Sequence, residues 1–214
     1  MKRPVFFSLP LAVFSFAVVF LLLSCSAKEQ VATEEVQAPA TIESLVVLPV
    51  EIQKSENGYD GGTIRQLETG AATLNAMLQE MLADRKGLQF LTENRKESML
   101  ADFNGNPQAT ARYLGQQLGA DAVLVTLLSR YSERDGGEYS VNDPASVSFK
   151  TQLIHVATGT TLCLGVFEET QQTLLSNLFS FAKASRRGFK WITVEQLSRE
   201  GLREKLNDCR YTAE

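Results

Sequence analysis

Ser44-Leu-Val-Val-Leu-Pro-Val50 is a compact run of aliphatic residues that is long enough for one buried strand. Pro49 should fall at the end of this strand, because a proline in a strand interior would lose a ladder hydrogen bond. Farther along, the run from Ala120 to Leu128 is nearly continuous in apolar residues and predicts a second buried strand. Strands that are apolar on both faces are typical of parallel pairing beneath helices, so we expect both in the parallel part of a sheet.

Helical periodicity separates these two strands. Apolar residues recur at three- and four-residue spacing over 64–82, which predicts an amphipathic helix of about five turns. The segment 88–91 then predicts a short strand, and 92–118 is helical again in two pieces. Asn106 followed by a proline is typical of a helix start, and Gly119 is typical of a helix end.

The later part of the chain alternates between apolar and polar residues, as strands with one exposed face do. The segments 146–156 and 161–169 alternate on either side of a turn, which predicts an antiparallel hairpin. Leu162, Leu164 and Val166 form the apolar side of its second strand.

Two more helices are expected near the carboxyl end. The segment 176–184 predicts a short helix, and Thr193-Val-Glu-Gln196 is a capping box that begins the last one. The resulting order, β-α-β-α-α-β-β-β-α, predicts the α/β class with an α+β mixed sheet. Its early strands should be parallel, its late hairpin antiparallel, and its helices packed on the sheet. The length of 42–214 suits one domain with a helical carboxyl-terminal tail.

The amino terminus is typical of a secretory signal. Met1-Lys2-Arg3 is positive, 5–23 is almost wholly apolar, and a small residue precedes Cys25. A transmembrane anchor is the alternative, because roughly 18 apolar residues could span a bilayer. Leu22-Leu-Ser-Cys25 resembles a bacterial lipobox, in which the cysteine thiol receives a diacylglyceryl group before the signal is cut. The resemblance implies that 1–24 is a lipoprotein signal peptide and that Cys25 is the lipidated residue.

The stretch after the cysteine predicts how the domain is held. Residues 25–41 are rich in Ala, Glu, Gln and Pro without apolar periodicity, which is typical of a flexible tether. Ser26 rather than an aspartate follows Cys25; by resemblance to the enterobacterial sorting rule, this favours the periplasmic face of the outer membrane, with the lipid as anchor. Removing Lys2 and Arg3 from the 21 Lys+Arg leaves 19 against 25 Asp+Glu, a net charge of −6. Nucleic acid is therefore not an expected partner, because no basic surplus exists to bind phosphates.

Two short motifs carry a more specific resemblance. Val46-Val-Leu-Pro49 and Leu118-Gly-Ala-Asp-Ala-Val123, with the helices between them, resemble the small periplasmic α/β domain of envelope lipoproteins. That domain is shared by CsgG-like curli-secretion proteins, LpoB-like synthase activators and the amino-terminal part of TolB. The match covers 41–169, and 171–214 departs from the pattern. The resemblance implies a non-enzymatic protein-binding or envelope-assembly module with an envelope protein as partner; a small-molecule or glycan-binding lipoprotein is the alternative.

No motif in the sequence indicates a catalytic or metal-binding site. It lacks a phosphate-binding loop and a nucleophile elbow, so we expect neither an enzyme nor a cofactor. His155 is the single histidine and is expected to be a packing or surface residue without a chemical role. A metal site is not expected either, because zinc needs several ligands at short spacing and Cys163 and Cys209 lie far apart. In an oxidising periplasm these two cysteines could form a disulfide, or they could remain unrelated thiols, since spacing alone does not fix connectivity.

Ser185-Arg-Arg-Gly-Phe-Lys-Trp191 is basic and contains two aromatic residues. Arg186, Arg187, Phe189 and Trp191 are candidates for contact with peptidoglycan, anionic lipid or a protein partner. The favoured alternative is a solvated connection in which the two aromatics anchor the last helix to the sheet, since an aromatic before a capping box often acts as a staple.

Overall fold

One mixed sheet organises the residues that the computed structural model describes, which are 41–55, 58–137, 140–171 and 190–212. The strands are β1 Leu45–Val47, β2 Glu51–Ile52, β3 Leu88–Phe90, β4 Ala122–Ser132, β5 Asp135–Gly136, β6 Val141–Asp143, β7 Ser146–His155 and β8 Thr161–Thr170. The helices are α1 Gly61–Met81, α2 Glu93–Met99, α3 Pro107–Leu118 and α4 Val194–Asn207. Outside the described residues lie Cys25, Arg186, Arg187, Phe189 and the helix expected at 176–184.

The strand order confirms the predicted mixed sheet. It runs β3-β1-β4-β7-β8, with β2 added alongside β4. β1 is parallel to both β3 and β4, and Val46 lies opposite Val123. β4 with β7 and β7 with β8 pair antiparallel, as the alternating segments predicted. A separate two-stranded ribbon, β5 with β6, lies between β4 and β7 in the chain.

The first aliphatic run forms one short strand, and a second strand follows just beyond the run. β1 ends at Val47, and the chain resumes pairing only at Glu51. Pro49 has no N–H to donate to a ladder, and the N–H of Val50 donates to Oδ1 of Asn75 on α1 at 2.9 Å instead of to a strand. The strand is thus shorter than the run of 44–50, but it ends before Pro49 as predicted, and a helix side chain satisfies the next backbone N–H.

Both faces of the sheet are packed, and they differ in extent. We call the side under α1 and α4 the major face; its core includes Leu45, Leu124 and Leu153. The opposite side is the minor face, where α3 covers a smaller core that includes Val46 and Val123. Adjacent residues of one strand thus belong to different cores, which explains why β1 and β4 are apolar without alternation.

Each of the three longer helices approaches the sheet at a glycine. A methyl group added there would lie within 2.4–2.5 Å of a side chain of a strand or of the residue just after one, well inside van der Waals contact. The glycines therefore let the helices lie closer to the sheet than any other residue would allow. The pairs are Gly70 with Tyr131, Gly115 with Val156, and Gly201 with Phe167.

The junction between α3 and β4 has the predicted caps. Asn106 accepts a hydrogen bond from the N–H of Ala109 at 2.8 Å, and Gly119 ends the helix with φ of 65°. Asp121 then fastens the start of β1: its Oδ2 accepts from the N–H and the hydroxyl of Ser44, both at 2.8 Å, and from the N–H of Glu43 at 3.0 Å. These donors, led by the Ser44 N–H, hold the pKa of Asp121 below its usual value.

Asp121→Asn should lower the free energy of unfolding by roughly 1–2 kcal/mol at neutral pH, because hydrogen bonds to a charged acceptor are the stronger ones. The folded pKa of Asp121 is depressed, so its stabilisation is fully present above the unfolded value of about 4 and is lost as the pH falls through the folded value. Denaturant unfolding of wild type and variant from neutral pH to about pH 3 should show the gap closing at the acid end. A gap that is constant with pH would contradict this role.

Candidate protein-binding surface

Much of the minor face is exposed in the described structure. α3 covers this side near Val123 and Ile154, but the far parts of β7 and β8 carry no described helix there. Leu164 and Val166, two residues apart on β8, are 58% and 57% exposed. Leu127 on β4 is half-buried on the same side. We call Leu127, Leu164 and Val166, with the intervening Lys150, the open strip.

The open strip reverses the side of β8 that the alternating pattern favoured. Leu164 and Val166 are exposed, whereas the half-buried Leu162, at the bulge, packs against the major-face core, and Cys163, Gly165 and Phe167 face α4. Phe167 stacks on Phe149 with ring centroids 5.3 Å apart, and Gly165 leaves room for the Lys205 side chain of α4. The side of a strand that becomes buried is thus set by the helix that packs on it, and the bulkier aliphatic residues are left outside.

The ends of the open strip carry charge. Nη2 of Arg130 lies 3.2 Å from Oε1 of Glu168, and both side chains are well exposed. An exposed ion pair of this kind contributes little to stability, about 0–1 kcal/mol. Apolar residues bordered by such charges have the composition of a protein interface, in which an apolar centre is surrounded by a polar rim.

A disulfide fixes α4 over β8. Cys163 of β8 and Cys209, just after α4, are bonded, with Cα atoms 5.7 Å apart. The bond joins the last strand to the last helix across 46 residues of chain. The bond therefore keeps α4 on the major face of β8. The backbone of β8, which carries Leu164 and Val166 of the open strip, is fixed by this link.

Trp191 lies in a cleft at the other end of α4. The cleft has a volume of about 780 Å³, and its described lining includes Trp191, Arg134, Gln196 and Arg203. Trp191 is half-buried, and its carbonyl accepts a hydrogen bond from Nη1 of Arg134. Of the four candidate contact residues in the basic segment, this is the one that the structure describes.

The last helix is anchored by residues that the sequence did not single out. Ile192 and Val194 are 8% and 2% exposed and belong to the major-face core, whereas Trp191 does not. Gln171 donates its side-chain N–H to the Lys190 carbonyl and accepts from the N–H of Ile192, each at 2.9 Å. The staple role predicted for Trp191 is thus performed by Ile192, one residue nearer the cap.

A second cleft opens beside the break between β1 and β2. It has a volume of about 630 Å³ and lies between α1, residues 47–52 and the start of α2. At its margin Nζ of Lys96 contacts Oε1 of Glu51 at 2.7 Å and Oε1 of Glu93 at 2.9 Å. Burial lowers the pKa of Lys96, but the hydrogen bonds to the two carboxylates outweigh it and leave the pKa raised. The amine stays charged and paired, which is a structural arrangement rather than that of a reactive base.

The described side chains do not assemble a reactive group around His155. Its Nδ1 lies 2.8 Å from Oγ1 of Thr158 in the β7–β8 turn. Within the described ranges no set of three His, Cys, Asp or Glu side chains is placed to hold a metal ion. Over the same residues, none of the helices combines the length and the apolar character that crossing a bilayer requires.

Several solved structures resemble this fold at low sequence identity. The PelC dodecamer from Paraburkholderia phytofirmans has a TM-score of 0.47 and 11% identity, and the likeness covers 80% of this chain and 89% of that one. The LpoB carboxyl-terminal domain from Escherichia coli has a TM-score of 0.39 and 18% identity, over 63% of this chain and 87% of that one. Lipoprotein GNA1162 from Neisseria meningitidis has a TM-score of 0.39 and 19% identity, over 69% and 96%. No protein-family model and no curated protein sequence matches the chain.

LpoB, which the sequence motifs resembled, is thus among these structural likenesses. The resemblances to CsgG-like proteins and to TolB stay predictions.

Proposed function

We propose that this chain is a lipid-anchored lipoprotein of the outer membrane whose periplasmic domain binds another envelope protein without catalysing a reaction. The open strip carries the proposal. A single exposed aliphatic residue is ordinary on a protein surface. Here two stand side by side on one strand with a third on the same face, on a backbone that a disulfide holds. Neighbouring exposed aliphatic side chains with charged groups beside them are typical of a docking site.

The shape of the open strip favours a protein partner over a small ligand. Leu164 and Val166 project from an open sheet face, and neither lines the cleft at Trp191 nor the cleft beside β2. Small ligands bind in concave sites that enclose most of their surface. A flat apolar strip instead suits a partner that supplies its own opposing surface.

The double variant Leu164→Gln, Val166→Thr should abolish capture of the partner while leaving the fold intact, because both side chains are more than half exposed. The test is chemical crosslinking in cells of the full-length chain, followed by affinity purification and mass spectrometry. Ile64→Gln is the matched control, since Ile64 on α1 is also exposed, at 40%, but lies away from the strip. Equal recovery of the same crosslinked protein from the double variant and the wild type would remove the open strip as the site.

Cys25→Ser should eliminate acylation and leave an unprocessed precursor. In the lipobox resemblance the thiol is the acylation point, and acylation precedes cleavage. Metabolic labelling with palmitate, read by gel fluorography, should show label in the wild type and none in the variant. His155→Gln, a change outside the lipobox, is the control that should keep the label. Wild-type labelling of Cys25→Ser would contradict the lipid anchor.

A glycan-binding lipoprotein is the second candidate, and the cleft at Trp191 favours it. Its volume is that of a typical ligand site, roughly 300–1,000 Å³. An aromatic ring beside Arg, Gln and Asn side chains supplies a stacking surface and hydrogen-bonding groups for a sugar. Soluble peptidoglycan fragments should then raise the melting temperature of the wild type but not that of Trp191→Ala. No rise with either protein would eliminate this candidate.

A further inference from the structure

The free edge of β8 has a self-complementary register. Among the described residues β8 pairs with β7 alone, with a bulge at Leu162 and a regular register over residues 163–170. It contains no proline, and its two carboxylates stand near one end, at Glu168 and Glu169. Natural edge strands are usually short, bulged or interrupted by charge and proline, because an uninterrupted edge pairs with other strands.

The direction of the backbone groups follows from one hydrogen bond at the end of β8. The N–H of Gln171 donates to the Ala145 carbonyl at 3.0 Å, next to the pair Ser146 and Thr170. Backbone groups alternate in direction along an antiparallel strand. Phe167 and Gly165 therefore direct their N–H and C=O toward β7, and the residues that alternate with them direct theirs toward the free edge. Leu164, Val166 and Glu168 are thus the residues whose backbone can bond a further strand.

We propose that this edge pairs antiparallel with β8 of a second copy of the chain, about a two-fold axis at Gly165. The inference deepens the proposed function, because the dimer would enlarge the face on which the partner docks. In this register Leu164 of one copy lies opposite Val166 of the other in a hydrogen-bonded pair. Gly165 faces its own equivalent in the non-bonded position, where strands approach most closely and the absence of a side chain is an advantage.

The charges of the edge fit a second copy in this register. Glu168 lies opposite Leu162 of the other copy, and Glu169 lies opposite Thr161, so no carboxylate faces another. Like charges directly opposite would be destabilising, and aliphatic pairs across strands are stabilising. The two open strips join into one apolar patch centred on the axis, which doubles the surface offered to the partner.

Val166→Pro should separate the two copies without breaking the fold. The N–H that proline removes points to the free edge, where proline is tolerated in strands. The change deletes two hydrogen bonds per dimer and should raise the dimer dissociation constant roughly tenfold or more. Val166→Thr, which keeps the N–H and the β-branched shape, is the matched control and should dimerise like the wild type. The readout is sedimentation of the full-length protein in detergent, over a range of protein concentrations.

Cysteine crosslinking tests the register independently of any proline effect on folding. Full-length Leu164→Cys mixed with full-length Val166→Cys should crosslink to each other through a short bismaleimide more efficiently than either does alone. Lys150→Cys on β7 is the control, because two copies of β7 would be three strand spacings apart, about 14 Å. Its crosslinking should be several-fold lower.

Three outcomes would overturn the inference. They are a monomer at every concentration, a dimer that Val166→Pro leaves unchanged, or a monomer that forms a 1:1 complex with another protein through this edge. The last result assigns the edge to a partner strand. Because Leu164→Gln, Val166→Thr also alters the cross-strand pair of the dimer, partner capture is measured for Val166→Pro as well. Capture of the partner by this monomeric variant would show that the partner binds without the dimer. The experiments can therefore contradict the dimer without contradicting the proposed function, and they can contradict the proposed function without contradicting the dimer.

Discussion

Replacing both Cys163 and Cys209 by alanine should lower the free energy of unfolding by about 4 kcal/mol, because the bond between them is lost. The bond closes a loop across 46 residues, and opening it restores that conformational freedom to the unfolded chain. Denaturant unfolding of residues 41–214 measures the change.

The reduced wild type is the control for this disulfide prediction. It should unfold at nearly the same denaturant concentration as the double variant, because the two lack the same crosslink. A loss under about 1 kcal/mol would show that α4 is held by packing alone, through buried residues such as Leu202 and Leu206, and that the bond adds little.

Leu153→Ala should cost about 3–4 kcal/mol, because the side chain is fully buried in the major-face core and its loss leaves a cavity. Leu164→Ala is the matched control: the same change on the adjacent strand, at a side chain that is 58% exposed. It should cost less than about 0.5 kcal/mol. Equal losses at the two positions, measured by denaturant unfolding, would mean that another part of the chain covers the open strip.

The parallel half of the sheet could be predicted because its apolar strands are compatible only with burial on both faces. Val46 and Val123 stand in runs that are apolar without alternation, and such strands need cover on both faces. The two ends of α3 could also be predicted. The asparagine before the proline caps a backbone N–H at the start of the helix, and a glycine at its end can adopt the left-handed conformation that terminates it. Local chemistry alone determines these features.

The candidate site could not be predicted in the same way. Alternation indicates that a strand has two unlike sides, but not which side a helix will cover. On β8 the choice depends on Phe149, on Gly201 and on the place where α4 packs, none of which is local to the strand. Trp191 was a candidate by its type, but its cleft is formed by α4, which follows it in the chain.

The fastening of the chain where the domain begins has a mechanical consequence. Asp121 holds Glu43 and Ser44, and Nη2 of the buried Arg85 donates to the Ile42 carbonyl at 3.0 Å. β1 follows directly, bonded on both sides by parallel strands. A pull applied at residue 41 therefore loads these contacts in shear, so that many must break together instead of peeling apart in succession. A domain built in this way resists force applied at its amino-terminal end, because unfolding of the sheet does not begin there.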